Sequence, residues 1–241
     1  MFTGIVNGIA RIARITDRPG LRSFHIKFPQ GFAHDLAIGA SVAVDGVCLT
    51  VTSLQGDDAA EFDVMQQTLS LTTLAKLQQD DPINVERAAR DGAEIGGHPL
   101  SGHVDFMATL QDIRRPENNH VLRIAVPVPW MRYIFPKGYI SINGASLTVA
   151  EANRREAWFE VWLIPETLRM TTFGDKQIGD QLNIEIERGT QVVVDTVRDR
   201  IDELLGPMLP ALEGLLRERG IELGDLVPLH DFLRLTPNSK K

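Results

Sequence analysis

The stretch VAVDGVCLTV at residues 42–51 returns 98 residues later as ISINGASLTV at residues 140–149. In both stretches an Asp-Gly or Asn-Gly step separates two runs of apolar and β-branched residues. These dipeptides readily adopt the positive φ angles that a tight hairpin turn requires. The sequence therefore predicts the same β-hairpin twice, with its turn at Asp45 in the first stretch and at Asn143 in the second.

The repeat extends well beyond the two hairpins. Short segments of the first copy, TGIV (3–6), TL (68–69) and NVE (84–86), return in order as SGHV (101–104), TL (167–168) and NIE (183–185). A repeat of this length exceeds the unit of a solenoid, so each copy must build its own core. We expect two similar domains, residues 1–97 and 98–189, and an unrepeated segment, residues 190–241.

Both copies are predicted to be rich in short strands. Alternating or β-branched runs predict strands at residues 61–65, 83–86, 159–164 and 182–186, and residues 68–77 and 167–174 are expected to form short helical or irregular crossings. Many short strands separated by turn residues indicate a small antiparallel barrel or a sandwich in each copy. The Asp-Gly step at residues 91–92 and the glycine pair at residues 96–97 favour a domain boundary near residues 90–97.

The segment after residue 189 has no counterpart in the repeat and predicts helices. We expect a first helix that Thr190 caps and that ends at the Gly-Pro step of residues 206–207. A second amphipathic stretch, residues 211–219, is expected to stop at Gly220. The tail that ends with residues 237–241 is expected to be frayed. The first helix has a narrow apolar seam, spaced by three or four residues: Val194, Val197, Ile201, Leu204 and Met208. Such a seam suits self-association, and equally a helix folded back on its own barrel.

Composition excludes several classes of partner. The chain has 241 residues and a net charge of −7, which argues against nucleic acid or an anionic membrane surface as the main partner. No apolar run reaches the roughly 18 residues of a membrane span, and the first residues lack the pattern of a signal peptide. The single cysteine, Cys48, rules out an internal disulfide and fits a cytoplasmic location.

The two copies differ at a few positions that carry chemistry. The matched pairs are Cys48 and Ser146, Ser41 and Tyr139, Ile5 and His103, and Ala88 and Glu187. A thiol therefore belongs to the first copy, and an imidazole and a carboxylate to the second. Positions that differ are where two similar sites could take unequal roles.

Each of these residues also has an ordinary structural interpretation. A lone cysteine in a strand is often a small buried hydrophobe, and a lone histidine is more often structural than catalytic. A metal site at His98, His103 and Asp105 has weak support, because the residues lack a helical spacing and no further ligands cluster beside them. We therefore expect no metal.

Several motifs together resemble one known family. They are MFTGIV (1–6), GVCLTV (46–51), GGH (96–98), SGH (101–103), GASLTV (144–149), IPETL (164–168) and TT (171–172), with Lys137-Gly138 between them. In this order they resemble the alpha-type riboflavin synthases over residues 1–197. The resemblance implies an all-β fold of two tandem six-stranded antiparallel Greek-key barrels. A C-terminal α-helix would join the subunits of a homotrimer.

The resemblance also implies an activity. Each barrel would bind one molecule of 6,7-dimethyl-8-ribityllumazine, and a four-carbon unit would pass from one molecule to the other. The products would be riboflavin and 5-amino-6-ribitylaminouracil, with neither a metal nor an organic cofactor. The reacting pair would lie between the first barrel of one subunit and the second barrel of a neighbour. Lumazine synthase is a candidate protein partner.

The family's functional residues carry over to matching positions of this chain. Those associated with the reaction would be Phe2, Ser41, Cys48, His103 and Glu187. The first pocket would be formed by Gly4, Ile5, Val6, Cys48, Leu49, Thr50, Asp63, Val64, Met65, Gln66, Gln67 and Thr68. The second pocket would be formed by Gly102, His103, Val104, Lys137, Ser146, Leu147, Thr148, Trp162, Leu163, Ile164, Pro165, Glu166 and Thr167.

Two departures from the family pattern bear on function. The family commonly has aspartate where this chain has Glu187, and one extra methylene would move the carboxylate by about an ångström. The tail beyond Gly206 is also longer than the family leads us to expect. The alternative is a non-catalytic lumazine- or flavin-binding protein of the same fold. Because both copies keep their pocket motifs, the sequence favours the enzyme.

Overall fold

The computed structural model describes residues 1–56, 58–117 and 119–219. It contains two closed antiparallel barrels of six strands each, which confirms the all-β duplication and selects the barrel over the sandwich. Barrel 1 is formed by β1 (Gly8–Arg18), β2 (Leu21–Lys27), β3 (Ser41–Val44), β4 (Val47–Gln55), β5 (Ala59–Met65) and β6 (Pro82–Arg87). Barrel 2 is formed by β7 (Phe106–Arg114), β8 (His120–Ala125), β9 (Tyr139–Ile142), β10 (Ala145–Asn153), β11 (Trp158–Leu163) and β12 (Gln181–Ile186).

The two barrels share one topology. The closed order is β1-β2-β5-β4-β3-β6 in barrel 1, and barrel 2 repeats it as β7-β8-β11-β10-β9-β12. Pairing of non-consecutive strands, such as β2 with β5, gives the Greek-key connection. Even the register shifts recur, after Val51 in β4 and after Val149 in β10. The repeat in sequence is therefore a repeat in backbone geometry.

Each barrel encloses its own core. Along β4, Leu49 and Val51 are buried while Thr50 is exposed, which is the alternation of a strand with one face on a core. Phe24 and Phe62 are fully buried in barrel 1, and Phe159 is fully buried in barrel 2. The outward positions of the same strands are therefore free to present polar or functional side chains.

Short helices form where the sequence predicts crossings. In barrel 1, α1 (Gln66–Leu71) is followed by a 3-10 turn at Thr73–Lys76. In barrel 2, α2 (Pro165–Met170) is followed by a 3-10 turn at Thr172–Asp175. A further 3-10 segment, Val128–Tyr133, precedes β9.

The barrels meet at their two predicted hairpin turns. Asp45 and Asn143 have φ angles of 43° and 45°, and a Cβ on Gly46 would lie 2.7 Å from the backbone nitrogen of Gly144. Two buried asparagines fasten the contact symmetrically. The amide of Asn84 donates to the Asn143 carbonyl at 3.0 Å, and the amide of Asn183 donates to the Asp45 carbonyl at 2.9 Å. The turns therefore join the barrels as well as reversing the chain.

The chain divides into two compact units, residues 1–188 and the segment from residue 189 onward. The barrels share the first unit, and the domain division at residue 97 stays a prediction. α3 (Arg188–Leu205) follows β12 almost directly, so the prediction that Thr190 caps the helix was wrong: Thr190 lies in its first turn. A 3-10 turn (Gly206–Met208) and α4 (Leu209–Glu218) follow. Gly220 and the predicted frayed end lie outside the described residues. No helix in the described part of the chain is long and apolar enough to span a membrane.

Candidate ligand sites on the two barrels

The segments around Gly4 and Gly102 each bridge the two barrels. The Gly4 carbonyl accepts a hydrogen bond from the Ser146 backbone N–H of barrel 2 at 2.8 Å, and the Gly102 carbonyl accepts one from the Cys48 backbone N–H of barrel 1 at 2.9 Å. Each pocket segment that the repeat predicts for one barrel therefore also touches the other. Sequence spacing could not reveal this exchange, because it depends on how the barrels pack.

Two buried glutamates anchor these segments. Glu86 accepts hydrogen bonds from the Thr3 backbone N–H at 2.6 Å, the Thr3 hydroxyl at 2.7 Å and the Gly4 N–H at 3.0 Å. Glu185 makes the matching bonds to Ser101 and to Gly102. Burial raises the pKa of both carboxyl groups, and these hydrogen bonds oppose the rise. The NVE and NIE motifs thus supply anchors that the sequence pattern alone did not reveal.

Glycine is required at both bridging positions. Gly4 and Gly102 have φ angles of 75° and 78°, in the left-handed region that glycine favours. A Cβ on Gly4 would lie 2.5 Å from the Cβ of Ser146, and one on Gly102 would lie 2.6 Å from the Cβ of Cys48. The two residues that differ between the copies, Cys48 and Ser146, are therefore held at the same place against the opposite bridging segment.

Phe2 lies beside Cys48. Its backbone forms an antiparallel bridge with Leu100, with N···O distances of 2.8 and 2.9 Å, and its side chain is 1% exposed. A Cβ on Gly102 would lie 2.9 Å from the edge of the Phe2 ring, so Phe2, Gly102 and Cys48 form one packed group. The aromatic side chain therefore packs beneath the Gly102 segment.

His98 forms a pair with Ser146 on barrel 2. The His98 Nδ1 lies 2.6 Å from the Ser146 hydroxyl, and the imidazole stacks on Tyr139 with ring centroids 5.2 Å apart. Burial lowers the pKa of His98, and the Glu187 carboxylate acts in the opposite direction. The sequence singled out His98 only as part of a motif and of the metal alternative.

The metal alternative gains no geometric support. Among residues 1–56, 58–117 and 119–219, no group of three or more histidine, cysteine or acidic side chains is arranged to hold an ion. His103 is exposed, and its backbone N–H donates to the Ser101 hydroxyl at 3.2 Å.

Matching outward rows cross three strands on each barrel. On barrel 1, Ser41 of β3 pairs with Thr50 of β4. Val51 of β4 pairs with Phe62 of β5, and one step further along these antiparallel strands Asp63 lies opposite Thr50. On barrel 2, Tyr139 of β9 pairs with Thr148 of β10. Val149 of β10 pairs with Val161 of β11, so Trp162 of β11 lies opposite Thr148. We call them the polar row (Ser41, Thr50, Asp63) and the aromatic row (Tyr139, Thr148, Trp162). Every member was predicted from the sequence as a differing or pocket position, but their alignment was not.

The remaining predicted pocket residues divide by burial. The buried side chains are Val6, Leu49, Val64, Leu147 and Leu163. Exposed ones are Ile5, Met65, Gln66, Gln67, Lys137, Ile164, Pro165 and Glu166, while Thr68, Val104 and Thr167 are half-buried. Val104 packs against the core of barrel 1. Arg169 hydrogen-bonds Glu166 and lowers the pKa of its carboxyl group.

A cavity of about 480 Å³ lies beside the Gly4 segment. It is lined by Thr3, Ile5, Asn7, Glu86, Arg87 and residues of the linker between the barrels. Of the predicted pocket residues, only Ile5 belongs to its lining, so the cavity and the two rows are separate features of the surface.

Comparison with known proteins identifies the family. The sequence model of the lumazine binding domain matches twice, at residues 3–88 and 101–187. The riboflavin synthase of Escherichia coli (strain K12) is 44% identical over 223 residues, which cover 92% of this chain and all of that protein. This chain belongs to the riboflavin synthase family. The riboflavin synthase of Buchnera aphidicola subsp. Schizaphis graminum (strain Sg) is 41% identical over 82% of this chain and 94% of its own length.

A structural relative extends the likeness to a binding protein. The crystal structure of LumP complexed with riboflavin superposes with a TM-score of 0.72 and 26% identity, covering 78% of this chain and all of that one. The two segments that match the lumazine binding domain coincide with the two barrels, and the unrepeated C-terminal helices lie outside them.

Proposed function

We propose that this protein is a riboflavin synthase. Two molecules of 6,7-dimethyl-8-ribityllumazine would give one riboflavin and one 5-amino-6-ribitylaminouracil, by transfer of a four-carbon unit. The observation that carries the proposal is the 44% identity to a riboflavin synthase along that protein's full length. The presence of two lumazine binding domains in one chain suits a reaction that consumes two copies of one substrate.

The unequal side chains of the two barrels suit a donor and an acceptor. The 7-methyl group of the lumazine is a carbon acid, so one molecule needs a base while the other needs a nucleophile. We assign the proton transfers to the exposed imidazole of His103 and to the carboxylate of Glu187, which both belong to the second copy. Cys48 and Ser41 would act at the first barrel, where Phe2 keeps the thiol in place.

The largest contribution expected of the protein is positional. Two rings held face to face react as if in one molecule, which removes much of the entropic barrier of a bimolecular step. The hydrogen bonds of Glu86 and Glu185 to the bridging segments favour such preorganisation, because they fix the backbone beside Cys48 and Ser146.

We also propose that the enzyme is a cytoplasmic homotrimer. The reacting pair would lie between the first barrel of one subunit and the second barrel of its neighbour. Support comes from α3, where Val197 and Leu204 of the predicted seam are 54% and 61% exposed. Val194 and Ile201 of that seam are half-buried, and Val193 is exposed instead. The exposed residues form an apolar row that association would cover. Lumazine synthase would be a protein partner.

The proposal is tested by incubating the metal-free protein with 6,7-dimethyl-8-ribityllumazine and following both products by chromatography. We expect one riboflavin for every two lumazines consumed. Tight lumazine binding without riboflavin formation over hours would overturn the enzyme and favour a binding protein of the same fold. LumP has been crystallised in complex with riboflavin and with this lumazine. Glu187→Asp should hold or raise the rate if Glu187 has the role proposed.

A further inference from the structure

Three short motifs are kept almost unchanged in both copies of the repeat. They are Thr-Leu (68–69 and 167–168), Thr-Thr (72–73 and 171–172) and Asn-x-Glu (84–86 and 183–185). Positions that stay the same while others diverge serve something that both copies need. The hydrogen bonds of these motifs connect the two barrels to each other.

Each Asn-x-Glu motif lies on the face of its strand that is turned away from the barrel core. In β6 the alternate residues enter the core of barrel 1, while Asn84 and Glu86 share the opposite face and are 1% and 3% exposed. Asn183 and Glu185 repeat this arrangement in β12. Side chains two residues apart on one face of a strand lie only about 7 Å apart, so whatever they bind is held by one short piece of backbone.

The asparagine of each motif holds the Thr-Thr step of the opposite barrel. The Asn84 side-chain oxygen accepts the Thr172 backbone N–H at 2.8 Å, and the Asn183 side-chain oxygen accepts the Thr73 backbone N–H at 2.8 Å. The amide nitrogens of both asparagines donate to the turn of the opposite barrel. Each asparagine therefore uses both ends of its amide group on the other barrel.

The Thr-Thr step is tied in turn to a predicted pocket residue. The Thr171 hydroxyl donates to the Thr167 carbonyl at 2.6 Å, and the Thr72 hydroxyl donates to the Thr68 carbonyl at 2.7 Å. Thr68 and Thr167 belong to the short helices α1 and α2. Consecutive hydrogen bonds and peptide units thus join each predicted pocket to the asparagine of the opposite barrel.

The glutamate of the same motif holds a second pocket segment. Glu86 binds the Gly4 segment of the first copy, and Glu185 binds the Gly102 segment of the second copy. One strand therefore fixes the bridging segment of its own copy and the crossing segment of the other copy. Both β6 and β12 are connected to both predicted pockets.

We propose that the two Asn-x-Glu strands position both pockets of one chain together, so that a ligand in one barrel raises the affinity of the other. A ligand that restrains one pocket removes motion from the shared strands, and a second ligand then has less motion to suppress. The coupling acts equally in both directions. A reaction between two bound molecules gains from it, because chains with a single occupied barrel become less frequent. This inference rests on the proposed function for the ligand, and it adds Asn84 and Asn183 as positioning residues.

Thr172→Pro breaks the connection at a single atom. Proline lacks the N–H that Asn84 accepts, and Thr171, with φ −132° and ψ 166°, already has the extended conformation preferred before proline. Thr172→Val is the matched control. It keeps the N–H and the branched shape, and it loses a hydroxyl that has no hydrogen-bond partner in the described part of the chain.

Equilibrium dialysis of the full-length protein with 6,7-dimethyl-8-ribityllumazine measures the effect on barrel 1. The Thr148→Arg background blocks barrel 2, so that the remaining binding belongs to barrel 1. Thr172→Pro should weaken this binding at least about threefold, although Thr172 lies in barrel 2, and Thr172→Val should leave it unchanged. In a Glu86→Gln background the difference should disappear, because glutamine keeps one acceptor oxygen and leaves either Thr3 or Gly4 without its partner.

Hydrogen exchange gives a second measurement that needs no proline variant. In Thr148→Arg, lumazine binding to barrel 1 should slow exchange of the Thr172 amide in barrel 2. The control is the Leu110 amide of barrel 2, which donates to the Asp180 carbonyl at 2.8 Å and should exchange at an unchanged rate. A purely structural role of the asparagines predicts no response of Thr172 to the ligand.

The outcomes separate the coupling from the enzyme. An unchanged barrel 1 affinity in Thr172→Pro overturns the coupling, as does an unchanged Thr172 exchange rate or a Thr148→Arg variant that binds no lumazine. The exchange rate alone decides if Thr172→Pro does not fold. If the wild type converts lumazine while barrel 1 ignores Thr172→Pro, the coupling is wrong and the proposed function stands. If the wild type converts no lumazine but barrel 1 responds to Thr172→Pro, the coupling stands and the proposed function is wrong.

Discussion

Asp45 and Asn143 occupy equivalent turns and make equivalent bonds with different charge. The Asp45 carboxylate accepts the Asn84 backbone N–H at 2.8 Å, and the Asn143 side-chain oxygen accepts the Asn183 N–H at 2.7 Å. Burial raises the pKa of Asp45 to about 6, although Lys176 opposes the rise. The neutral amide in the second copy therefore does the same structural task without a buried charge.

Asp45→Asn should stabilise the protein above pH 6. A carboxyl group whose folded pKa is raised stabilises the fold below its unfolded pKa of about 4, and this contribution is lost as the pH rises through about 6. The shift corresponds to about 3 kcal/mol of unfolding free energy. Thermal melts from pH 4 to 8 should show a decline between pH 4 and 6 that the variant lacks. Identical pH profiles would contradict the prediction.

The pair of Cys48 and Ser146 offers a test of chemistry without a change of shape. We expect Cys48→Ser to slow turnover while lumazine affinity stays nearly unchanged, because serine already fills the equivalent position against Gly4. What is lost is a polarizable sulfur and its stronger nucleophilicity. Steady-state kinetics and equilibrium binding measure the two effects separately, and the reverse change, Ser146→Cys, is the control. Equal losses of rate and affinity would indicate a packing role.

At the scale of elements, the bridging segments should tolerate no side chain at their glycines. Gly102→Ala places a Cβ 2.6 Å from the Cβ of Cys48. Gly20→Ala is the matched control, because its φ of 73° carries the same backbone cost and nothing lies within 4 Å of the added Cβ. Denaturant unfolding should show a loss of roughly 1 kcal/mol for Gly20→Ala and at least about twice that for Gly102→Ala. Equal losses would show that the contact is unimportant.

The apolar row on α3 gives the second prediction at this scale. Val197→Glu with Leu204→Glu should reduce a trimer, three times the 26.7 kDa of one chain, to smaller species, because charge replaces apolar surface that association would bury. Thr196→Glu, at a neighbouring exposed position, is the control. A double variant that sediments as a trimer would show that α3 does not hold the assembly together.

The sequence predicted local features better than those that depend on packing. The hairpins at Asp45 and Asn143 followed from turn chemistry, and the duplication followed from direct comparison of the two copies. The first two strands of each barrel, β1 and β2 and then β7 and β8, were not predicted. In β1 and β7 the register shift within the strand interrupts the apolar alternation. The exchange of the Gly4 and Gly102 segments between barrels, and the His98 pair with Ser146, are tertiary contacts between residues far apart in sequence, which periodicity cannot encode.

At the scale of the whole molecule, duplication followed by divergence is the simplest physical account of the site. The two barrels keep one backbone, one pair of anchoring glutamates and one central threonine, Thr50 or Thr148. The side chains around that threonine then differ, polar on one barrel and aromatic on the other. A reaction between two identical molecules needs such inequality, because one must give what the other receives.

The central claim is that one turnover uses barrel 1 of one subunit and barrel 2 of another. Thr50→Arg and Thr148→Arg block one row each at exposed, matched positions, and each variant alone should form almost no riboflavin. The two variants are then unfolded together in equal amounts and reassembled into mixed trimers. A site is intact when its barrel 1 comes from Thr148→Arg and its barrel 2 from Thr50→Arg, which random mixing gives for about a quarter of the sites. The mixture should therefore regain about a quarter of the wild-type rate. Riboflavin formation in that mixture is the decisive measurement, and a reassembled mixture as inactive as its two components would contradict the account.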